Sequence, residues 1–284
     1  VFGYLPAVAL SVAVMLFGRE INGSKRWLAL GPFSFQPSEF AKVALILFLA
    51  DLVTKNVKTI GKMWTLCRIM FWILPIVGLV GASNLSTAII ILGIGVILIF
   101  VASPKYAQFA LMGIAGACFM GIFLALESYR LERLAIWRNP EKYEKGYQTL
   151  QGLYAIGSGG VFGVGIGNSV QKLGFVPEAQ NDMIFSIICE ELGLAGAGII
   201  VFLFLLLIWR FFLIASGSRD LFGALIATGA MAHMMIQVIL NIAVVTNTIP
   251  NTGITLPFIS YGGTSVMFLL IEMGLVLSVS QVVD

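Results

Sequence analysis

Three carboxylates lie close together where a polar stretch of the sequence turns apolar. Asp182 ends the polar stretch, and Glu190 and Glu191 follow within the apolar segment that begins at Met183. At about 100° per residue, a helix would place these glutamates roughly 80° and 180° away from the aspartate, so the three cannot line one stripe. An acid at this position could cap the helix. It could also act as a general base on a lipid-borne substrate at the boundary between water and lipid.

The two glutamates need a reason to lie in an apolar segment, because a carboxylate at membrane depth is costly and must face protein or a water-filled cavity. We expect Glu190 and Glu191 to shape a cavity rather than to transfer protons. Whether Glu190 faces the same cavity as Asp182 is open. For Glu191, the simpler interpretation is an ion pair or a hydrogen bond to a neighbouring helix.

A second polar group occurs in the segment "QPSEFAK", residues 36–42. Glu39 and Lys42 are spaced i, i+3 in the first turn of a predicted span, and an ordinary helical ion pair is one interpretation. The other is that a basic residue just below the outer surface neutralises a phosphate group. Arg26 lies at a similar depth before the same helix and is a second candidate for this role.

The segment "TLPFISYGGTS", residues 255–265, combines a proline turn with a pair of glycines that open a helix. Free backbone N–H groups at such a helix start can bind an anion. The candidate substrate-binding residues here are Ser260, Gly262, Gly263 and Thr264, although the local pattern alone is weak. His233 and Glu272 are single polar groups in apolar spans, and we assign them to contacts between helices.

The composition shows what kind of protein must position these groups. The chain of 284 residues is 59% hydrophobic and only 11% charged, with a mean hydropathy of +0.98. Ordinary soluble domains carry roughly 25% charged residues, so this is an integral membrane protein. A net charge of +3 gives no indication of nucleic-acid binding, and the single His and three Cys form no metal-binding pattern.

Apolar segments of membrane length predict an all-α polytopic membrane protein with about eight spans in one domain, residues 1–284. The predicted spans are 1–18, 38–53, 64–82, 85–102, 107–126, 183–213, 221–246 and 264–283.

One connection is much longer than the others, at residues 127–182. Its composition is too apolar for disorder, and loops of this length are usually functional. The segment "YQTLQGLYAIGSGG" predicts a short amphipathic helix that ends at glycine. The next segment, "VFGVGIGNS", has too many glycines for a helix and indicates a backbone packed closely against another part of the protein.

Basic residues in the short loops predict the orientation. The loops on one side carry seven Lys and Arg, and those on the other side carry three. The positive-inside rule places the first side in the cytoplasm. The long loop, Asp182 and the segments around Glu39 and Ser260 then face outward together.

Three motifs together resemble one family. The segments "GSKRWLALGPFSFQPSEFAK", "GYQTLQGLYAIGSGGVFGVGIGNSVQKLGFVPEAQNDMIFSIICEELG" and "LPFISYGGTS" look like those of the SEDS family (shape, elongation, division and sporulation), and they stand in the family's order. The resemblance covers essentially the whole chain and is stronger to the FtsW branch than to RodA.

The resemblance implies a ten-helix fold with a large extracytoplasmic loop between the seventh and eighth helices. Because the long loop here follows the fifth predicted span, we expect the first two helices of that fold to be absent from this chain. One departure lies at residues 83–88, "SNLSTA", where the family has a "PDLGT"-like sequence. The acid of that turn is missing, so no role is assigned to it here.

The resemblance also implies a peptidoglycan glycosyltransferase of the bacterial cytoplasmic membrane, acting in cell division or cell-shape maintenance. Its substrate would be lipid II, and its partner a class B penicillin-binding protein with transpeptidase activity, beside other division or elongation proteins. Asp182 occupies the position of the family's essential aspartate, and Glu178 matches another position linked to activity.

In the mechanism that we expect, Asp182 is the general base at the outer boundary of the membrane. The leaving pyrophosphate needs charge neutralisation, for which Arg26, Lys42, Arg130 and Arg133 are candidates, with or without a divalent cation. Since the sequence has no DxD motif, Mg²⁺ or Mn²⁺ would be held through the substrate's phosphates. Two alternatives are a lipid II flippase and a non-catalytic scaffold that recruits the transpeptidase.

Overall fold

The computed structural model describes residues 3–21, 24–30, 33–110, 113 and 134–282. The longer helices of this part of the chain are α1 (Tyr4–Phe17), α2 (Pro37–Asn56), α3 (Met63–Ser83), α4 (Leu85–Ala102), α5 (Tyr147–Gly159), α6 (Ile184–Gly217), α7 (Leu221–Val245) and α8 (Gly263–Ser280). Short 3₁₀ turns lie at Pro140–Lys142, Glu144–Gly146 and Gln171–Leu173.

The predicted spans coincide with helices wherever the structure describes them. Among the described residues, α3, α4, α6, α7 and α8 are long and apolar enough to cross a membrane. Helix α1 is apolar but has only 14 residues, and α2 carries several charges along its 20 residues. The chain is therefore a multi-pass membrane protein. The predicted span 107–126 lies almost entirely outside the described residues, and Arg130 and Arg133 lie outside them as well.

Three short strands precede α2, in a segment where the sequence analysis expected only a loop. They are β1 (Arg19–Ile21), β2 (Ser24–Leu30) and β3 (Phe33–Phe35), and they form an antiparallel sheet in the order β1-β2-β3. Runs of three to seven residues are too short to show a clear alternation of apolar and polar side chains. Pro37 then opens α2 at its first position, where its missing N–H group costs nothing.

The described chain divides into two compact units. The first contains residues 1–106, 207–236 and 262–284, and the second contains residues 107–206 and 237–261. The assignment of the whole chain to a single domain stays a prediction. In the first unit, α2 packs against α1, α3, α4 and α8. A methyl group added at Gly229 of α7 would lie 2.6 Å from Ile46, so a glycine lets these two helices approach closely.

The second unit combines the long loop, the beginning of α6 and residues 237–261. Trp137 Nε1 donates to the main-chain oxygen of Asn247 at 2.9 Å, and Asn247 Nδ2 donates to that of Trp137 at 3.3 Å. Helix α5 covers most of the predicted amphipathic helix and stops before Gly160, whose φ is +55°. This confirms the predicted helix and its glycine stop.

Helix α6 is interrupted at Gly193, where φ is +67° and ψ is −170°. The apolar run at residues 183–213 predicted one continuous span. The break instead divides α6 into a first section, residues 184–192, which carries Glu190 and Glu191, and a second section, residues 194–217. Such a φ is accessible to glycine at little cost and to other residues only with strain.

Candidate active site

Asp182 lies immediately before α6 and is held by two amide side chains. Gln148 Nε2 donates to its carboxylate oxygen Oδ1 at 3.3 Å. Asn241 Nδ2 donates to its main-chain oxygen at 2.9 Å. The residue is only 8% exposed. The structure therefore fixes both the backbone and the carboxylate of the predicted base.

Gln148 is itself oriented by a neighbour. Asn251 Nδ2 donates to Gln148 Oε1 at 3.1 Å, which turns the amide nitrogen of Gln148 towards Asp182 Oδ1. Asn241 is fully buried and also donates to the main-chain oxygen of Ile254 at 2.6 Å. These bonds connect α5, α7 and the segment after α7 to the residue that precedes α6.

The turn before Asp182 is tightly closed. Glu178 has φ of +56°, a conformation that is uncommon for residues other than glycine. Its main-chain oxygen accepts from Asn181 N at 2.9 Å, and its carboxylate accepts from Asn181 Nδ2. Glu178 thus has a local role in shaping the turn that carries the candidate base.

Ser260, in the segment between α7 and α8, holds the same turn through hydrogen bonds. Its hydroxyl donates to the main-chain oxygen of Asn181 at 2.6 Å and accepts from Leu256 N at 2.7 Å. Tyr261 N donates to the main-chain oxygen of Gln180 at 2.8 Å. These contacts give Ser260 a positioning role. Its predicted contact with substrate stays a prediction.

Glu190 holds the downstream part of the long loop. Its carboxylate accepts from the hydroxyl of Ser169 and from the backbone N–H groups of Val170 at 3.1 Å and Gln171 at 3.5 Å. It therefore caps the short 3₁₀ turn at Gln171–Leu173. The predicted role of Glu190 in shaping a substrate cavity stays a prediction.

Glu191 forms an ion pair with the loop. Lys172 Nζ lies 2.6 Å from Glu191 Oε1, and Ser169 N donates to the same oxygen at 3.4 Å. For Glu191, the simpler prediction was an ion pair or a hydrogen bond to a neighbouring helix. The structure supplies the ion pair from the long loop, and the predicted role in shaping a cavity is untested for this residue as well.

The glycine-rich segment at residues 160–167, which we name the loop tip, packs against the break in α6. Four main-chain hydrogen bonds of 3.0 Å join them, with the donor given first: Leu194 to Gly160, Ala195 to Val161, Val164 to Glu190 and Gly165 to Glu191. A methyl group added at Gly163 would lie 2.1 Å from the main-chain oxygen of Glu191. The close backbone packing predicted for this segment is confirmed.

A separate group of charges lies in the first unit. Lys42 Nζ is 2.9 Å from Glu39 Oε1, and both side chains are almost fully buried. The structure confirms the ion pair between these residues. A substrate phosphate could reach Lys42 only if the surroundings opened, and its role in substrate binding stays a prediction.

His233 and Glu272 extend this buried group. His233 Nδ1 lies 3.0 Å and 2.8 Å from the two carboxylate oxygens of Glu272, which joins α7 to α8 as predicted for contacts between helices. His233 also interacts electrostatically with Glu39. The second carboxylate oxygen of Glu39, Oε2, is buried and accepts no hydrogen bond, although Ser265 lies near this carboxylate.

The remaining candidates of the first unit lie near its sheet. Arg26 Nε donates to the main-chain oxygen of Ser83 at 3.3 Å. Gly262 precedes α8, which begins at Gly263 as the sequence predicted. The hydroxyl of Thr264 donates to the main-chain oxygen of Ser34 at 2.9 Å. Their predicted contacts with substrate are untested.

The structure thus brings Asp182, Glu178, Ser260 and the two glutamates into the second unit. Arg26, Glu39, Lys42 and the glycine pair belong to the first. Among the described residues, no group of three or more His, Cys, Asp or Glu side chains could hold a metal ion. A divalent cation held through the substrate's phosphates stays a prediction.

Sequence reasoning missed the amides that orient Asp182. Gln148 and Asn251 fall within or beside segments that were otherwise noticed, "YQTLQG" and "PNTGITLPF". Asn241 is an amide in an apolar helix, and such a residue signals a hydrogen bond within the protein. The signal identifies a polar contact but not its partner.

Residues 1–284 match the model of the FtsW/RodA/SpoVE family of cell cycle proteins. The stage V sporulation protein E of Bacillus subtilis (strain 168) is 42% identical over 275 residues, which cover 93% of this chain and 73% of that protein. A probable peptidoglycan glycosyltransferase FtsW of Coxiella burnetii is 37% identical over 294 residues, covering 98% and 78%.

Two solved structures have similar folds. One concerns the structural coordination of polymerization and crosslinking by a peptidoglycan synthase complex, with a TM-score of 0.84 and 30% identity over 98% of this chain and 80% of that chain. The other is the crystal structure of the rod shape determining protein RodA of Thermus thermophilus. It gives a TM-score of 0.70 and 29% identity over 98% and 76%.

Proposed function

Because this chain belongs to the FtsW/RodA/SpoVE family of cell cycle proteins and is a peptidoglycan glycosyltransferase, we propose that it polymerises lipid II with Asp182 as the general base. The fixed position of Asp182 is the observation that supports its role as the base. Asp182 lies two residues before α6, and Gln148 and Asn241 hold its carboxylate and its backbone, respectively.

The chemistry follows from an amphiphilic substrate, whose sugars lie in water and whose prenyl chain lies in the bilayer. The 4-hydroxyl of the acceptor GlcNAc attacks the anomeric carbon of the donor MurNAc, and its proton passes to Asp182. The new C–O bond forms as the bond to the pyrophosphate breaks. Inversion at the anomeric carbon gives the β-1,4 linkage, and the pyrophosphate leaves with the lipid.

The pyrophosphate is already a good leaving group, so positive charge serves it better than an acid. Arg26 and Lys42 are the described candidates, and Arg130 and Arg133 lie outside the described residues. Lys42 would have to exchange its contact with Glu39 for one with phosphate. A divalent cation, Mg²⁺ or Mn²⁺, fits this scheme only as an ion carried by the pyrophosphate itself.

We place the protein in the bacterial cytoplasmic membrane with its active site on the outer face. The excess of basic residues in one set of short loops supports this orientation. A class B penicillin-binding protein is the partner that fits, because the similar complex coordinates polymerization with crosslinking. This partner would use the glycan strand as its substrate.

Two alternatives make different demands on the sequence. A flippase needs polar groups along the whole path across the membrane, whereas most candidate groups of this chain lie at helix ends, and the mid-helix pair His233 and Glu272 is closed by its own contact. A scaffold that only recruits the transpeptidase would not need an aspartate oriented by two amides. Glycosyl transfer is the function that uses this arrangement.

The deciding experiment uses the full-length protein with its transpeptidase partner and labelled lipid II, and it follows glycan strands on a gel. Asp182→Asn keeps the shape of the side chain but cannot take up the proton, so polymerisation should fall by about 10²–10⁴-fold. Asp51→Asn is the matched control, because Asp51 forms only an exposed ion pair with Lys55.

Near-normal strand synthesis by a folded Asp182→Asn variant would refute the assignment of the base. Transfer of labelled lipid II across vesicles without any polymer would support the flippase instead. Loss of polymer in the Asp51→Asn control as well would show that the assay reports folding rather than chemistry.

A further inference from the structure

The position of the membrane boundary on α6 can be derived from the break at Gly193. Residues 194–217 rise roughly 36 Å at 1.5 Å per residue, which is enough to cross a hydrocarbon core of about 30 Å. Arg210 is their only charged residue, whereas Glu190 and Glu191 precede the break. The second section of α6 can therefore span the membrane alone, and the break lies near the outer surface.

The loop tip is fixed at the same level. Its four main-chain hydrogen bonds pair it with residues on both sides of Gly193. Glu190, Glu191 and Lys172 use their charges to hold the following part of the loop. Since the backbone contacts are satisfied by the helix, the position of the tip does not depend on its side chains.

The side chains of the tip point away from the protein. Phe162 is 84% exposed and Ile166 is 81% exposed, and Val161 and Val164 are exposed as well. Residues 160–167 contain no charged or polar side chain. An exposed apolar group of this kind usually marks an interaction surface.

Exposed apolar side chains also occur on the spanning helix beside the tip. Leu194, which donates to the tip, is exposed, and Ile199 and Phe202 follow on the second section of α6 with more than half of their surface exposed. In a spanning segment such side chains face lipid tails. Because the tip is hydrogen-bonded at the outer end of this helix section, its exposed apolar side chains lie next to these lipid-facing residues.

We propose that the loop tip is a membrane anchor that inserts Phe162 and Ile166 into the outer leaflet. Its occupant is the lipid bilayer, at the level where headgroups meet acyl chains. The placement of the loop tip on the outer face of the membrane rests on the proposed function. The anchor fixes the long loop at one depth, and since Asp182 ends that loop, it fixes the height of the base above the membrane. An amphiphilic substrate needs a base at a fixed height, because the depth of the substrate's pyrophosphate is set by the same headgroup layer.

The experiment measures depth directly. The three native cysteines are replaced by alanine, and a nitroxide is attached in turn at Phe162→Cys and Ile166→Cys in full-length protein. The protein is placed in vesicles of phosphatidylglycerol and phosphatidylethanolamine. Collision rates with oxygen, which prefers lipid, and with a water-soluble nickel chelate are then compared.

Two control sites calibrate the measurement. Phe202→Cys reports the lipid face of α6, and Glu144→Cys reports an exposed polar position of the same long loop. We expect the labels at 162 and 166 to resemble that at 202, with oxygen collisions favoured several-fold over nickel. Labels that resemble position 144 would overturn the anchor. Labels that are exposed to water alone but protected by the transpeptidase would also overturn it, in favour of a protein-docking surface.

A second variant tests the consequence for catalysis. Phe162→Ser with Ile166→Ser should lower turnover in vesicles by about tenfold, because small displacements of a catalytic group have large effects on rate. Phe162→Leu with Ile166→Leu should retain the wild-type rate. If the serine and leucine double variants turned over lipid II at equal rates, the loop tip would have no role in setting the height of Asp182. The depth measurement does not use activity, so it stands even if Asp182 proves not to be the base.

Discussion

Two amide side chains, Gln148 and Asn241, determine where the carboxylate of Asp182 lies. An amide donor orients a carboxylate through a hydrogen bond, and a base held in this way keeps its geometry. The turn closed by Glu178 and Asn181 and fastened by Ser260 adds a further constraint on the backbone.

Substitution of Gln148 tests whether this residue positions the carboxylate of Asp182. Gln148→Leu should lower kcat by about 10- to 100-fold with a smaller change in KM, because the base remains but is no longer aligned. Steady-state polymerisation of lipid II in vesicles measures both constants. Gln151→Leu, on the same helix, is the control and should be near normal. A kcat that is unchanged in Gln148→Leu would contradict the positioning role.

Lys42 poses a different problem because its charge is buried beside that of Glu39. Removing one partner of a buried ion pair costs about 3–5 kcal/mol, so Lys42→Met alone would confuse stability with function. Glu39→Gln combined with Lys42→Met removes both charges. We expect this pair to keep a melting temperature close to that of the wild type while it loses the use of the lipid II donor.

The control for the charge pair is Lys55→Met, since Lys55 is exposed and forms a surface ion pair. Such pairs contribute roughly 0–1 kcal/mol. Normal activity per folded molecule in the Glu39 and Lys42 double variant would show that these residues serve structure only.

At the scale of elements, the break in α6 and the loop tip depend on each other. Gly163 has φ of +79° and lies against the main chain of Glu191. Gly163→Ala should therefore destabilise the protein by about 1–3 kcal/mol from backbone strain alone, with an added cost for the steric clash. Thermal unfolding followed by size-exclusion chromatography measures the change.

Gly157→Ala is the matched control, because this helical glycine has no neighbouring atom within 4 Å of an added methyl group. Alanine is favoured over glycine in a helix by about 1 kcal/mol, so the control should be neutral or slightly stabilising. A Gly163→Ala protein as stable as this control would show that the tip is not packed as the structure describes.

The elements of this fold differ in how well the sequence predicts them. The spans were predictable because long apolar runs have few alternatives, and α5 was predictable from its amphipathic pattern and its glycine stop. The break at Gly193 was not, because an isolated glycine in an apolar run is common in membrane helices. The bonds from Gln148 and Asn241 were not either, since they join positions far apart in the chain.

At the scale of the whole molecule, the long loop should behave as an ordered layer. Residues 146–181 contain α5, the loop tip and a 3₁₀ turn capped by Glu190, so most of their amide protons are shielded by hydrogen bonds. We expect slow hydrogen exchange there, and slower exchange when lipid II or the transpeptidase partner binds. Mass spectrometry of the protein in nanodiscs measures this.

The exchange of the polar turns provides an internal comparison at Glu141, Lys142, Glu144 and Lys145, because these residues are exposed. Exchange in residues 146–181 as fast as in these turns, with and without ligands, would show a disordered connection. The loop could then have no part in closing the site.

The break at Gly193 also has a consequence for how the protein is made. The main-chain groups that satisfy it come from the loop tip, which the ribosome synthesises about thirty residues earlier. The tip must therefore wait outside the membrane, unpaired, until the first section of α6 emerges and the second is inserted. A nascent chain arrested when the loop tip has been translocated but Leu194 is still inside the ribosome should be cut by added protease within residues 160–167, and one whose residues up to Gly217 have been inserted should resist. Biogenesis of this enzyme would thus have a late step in which a translocated loop and an incoming helix complete each other.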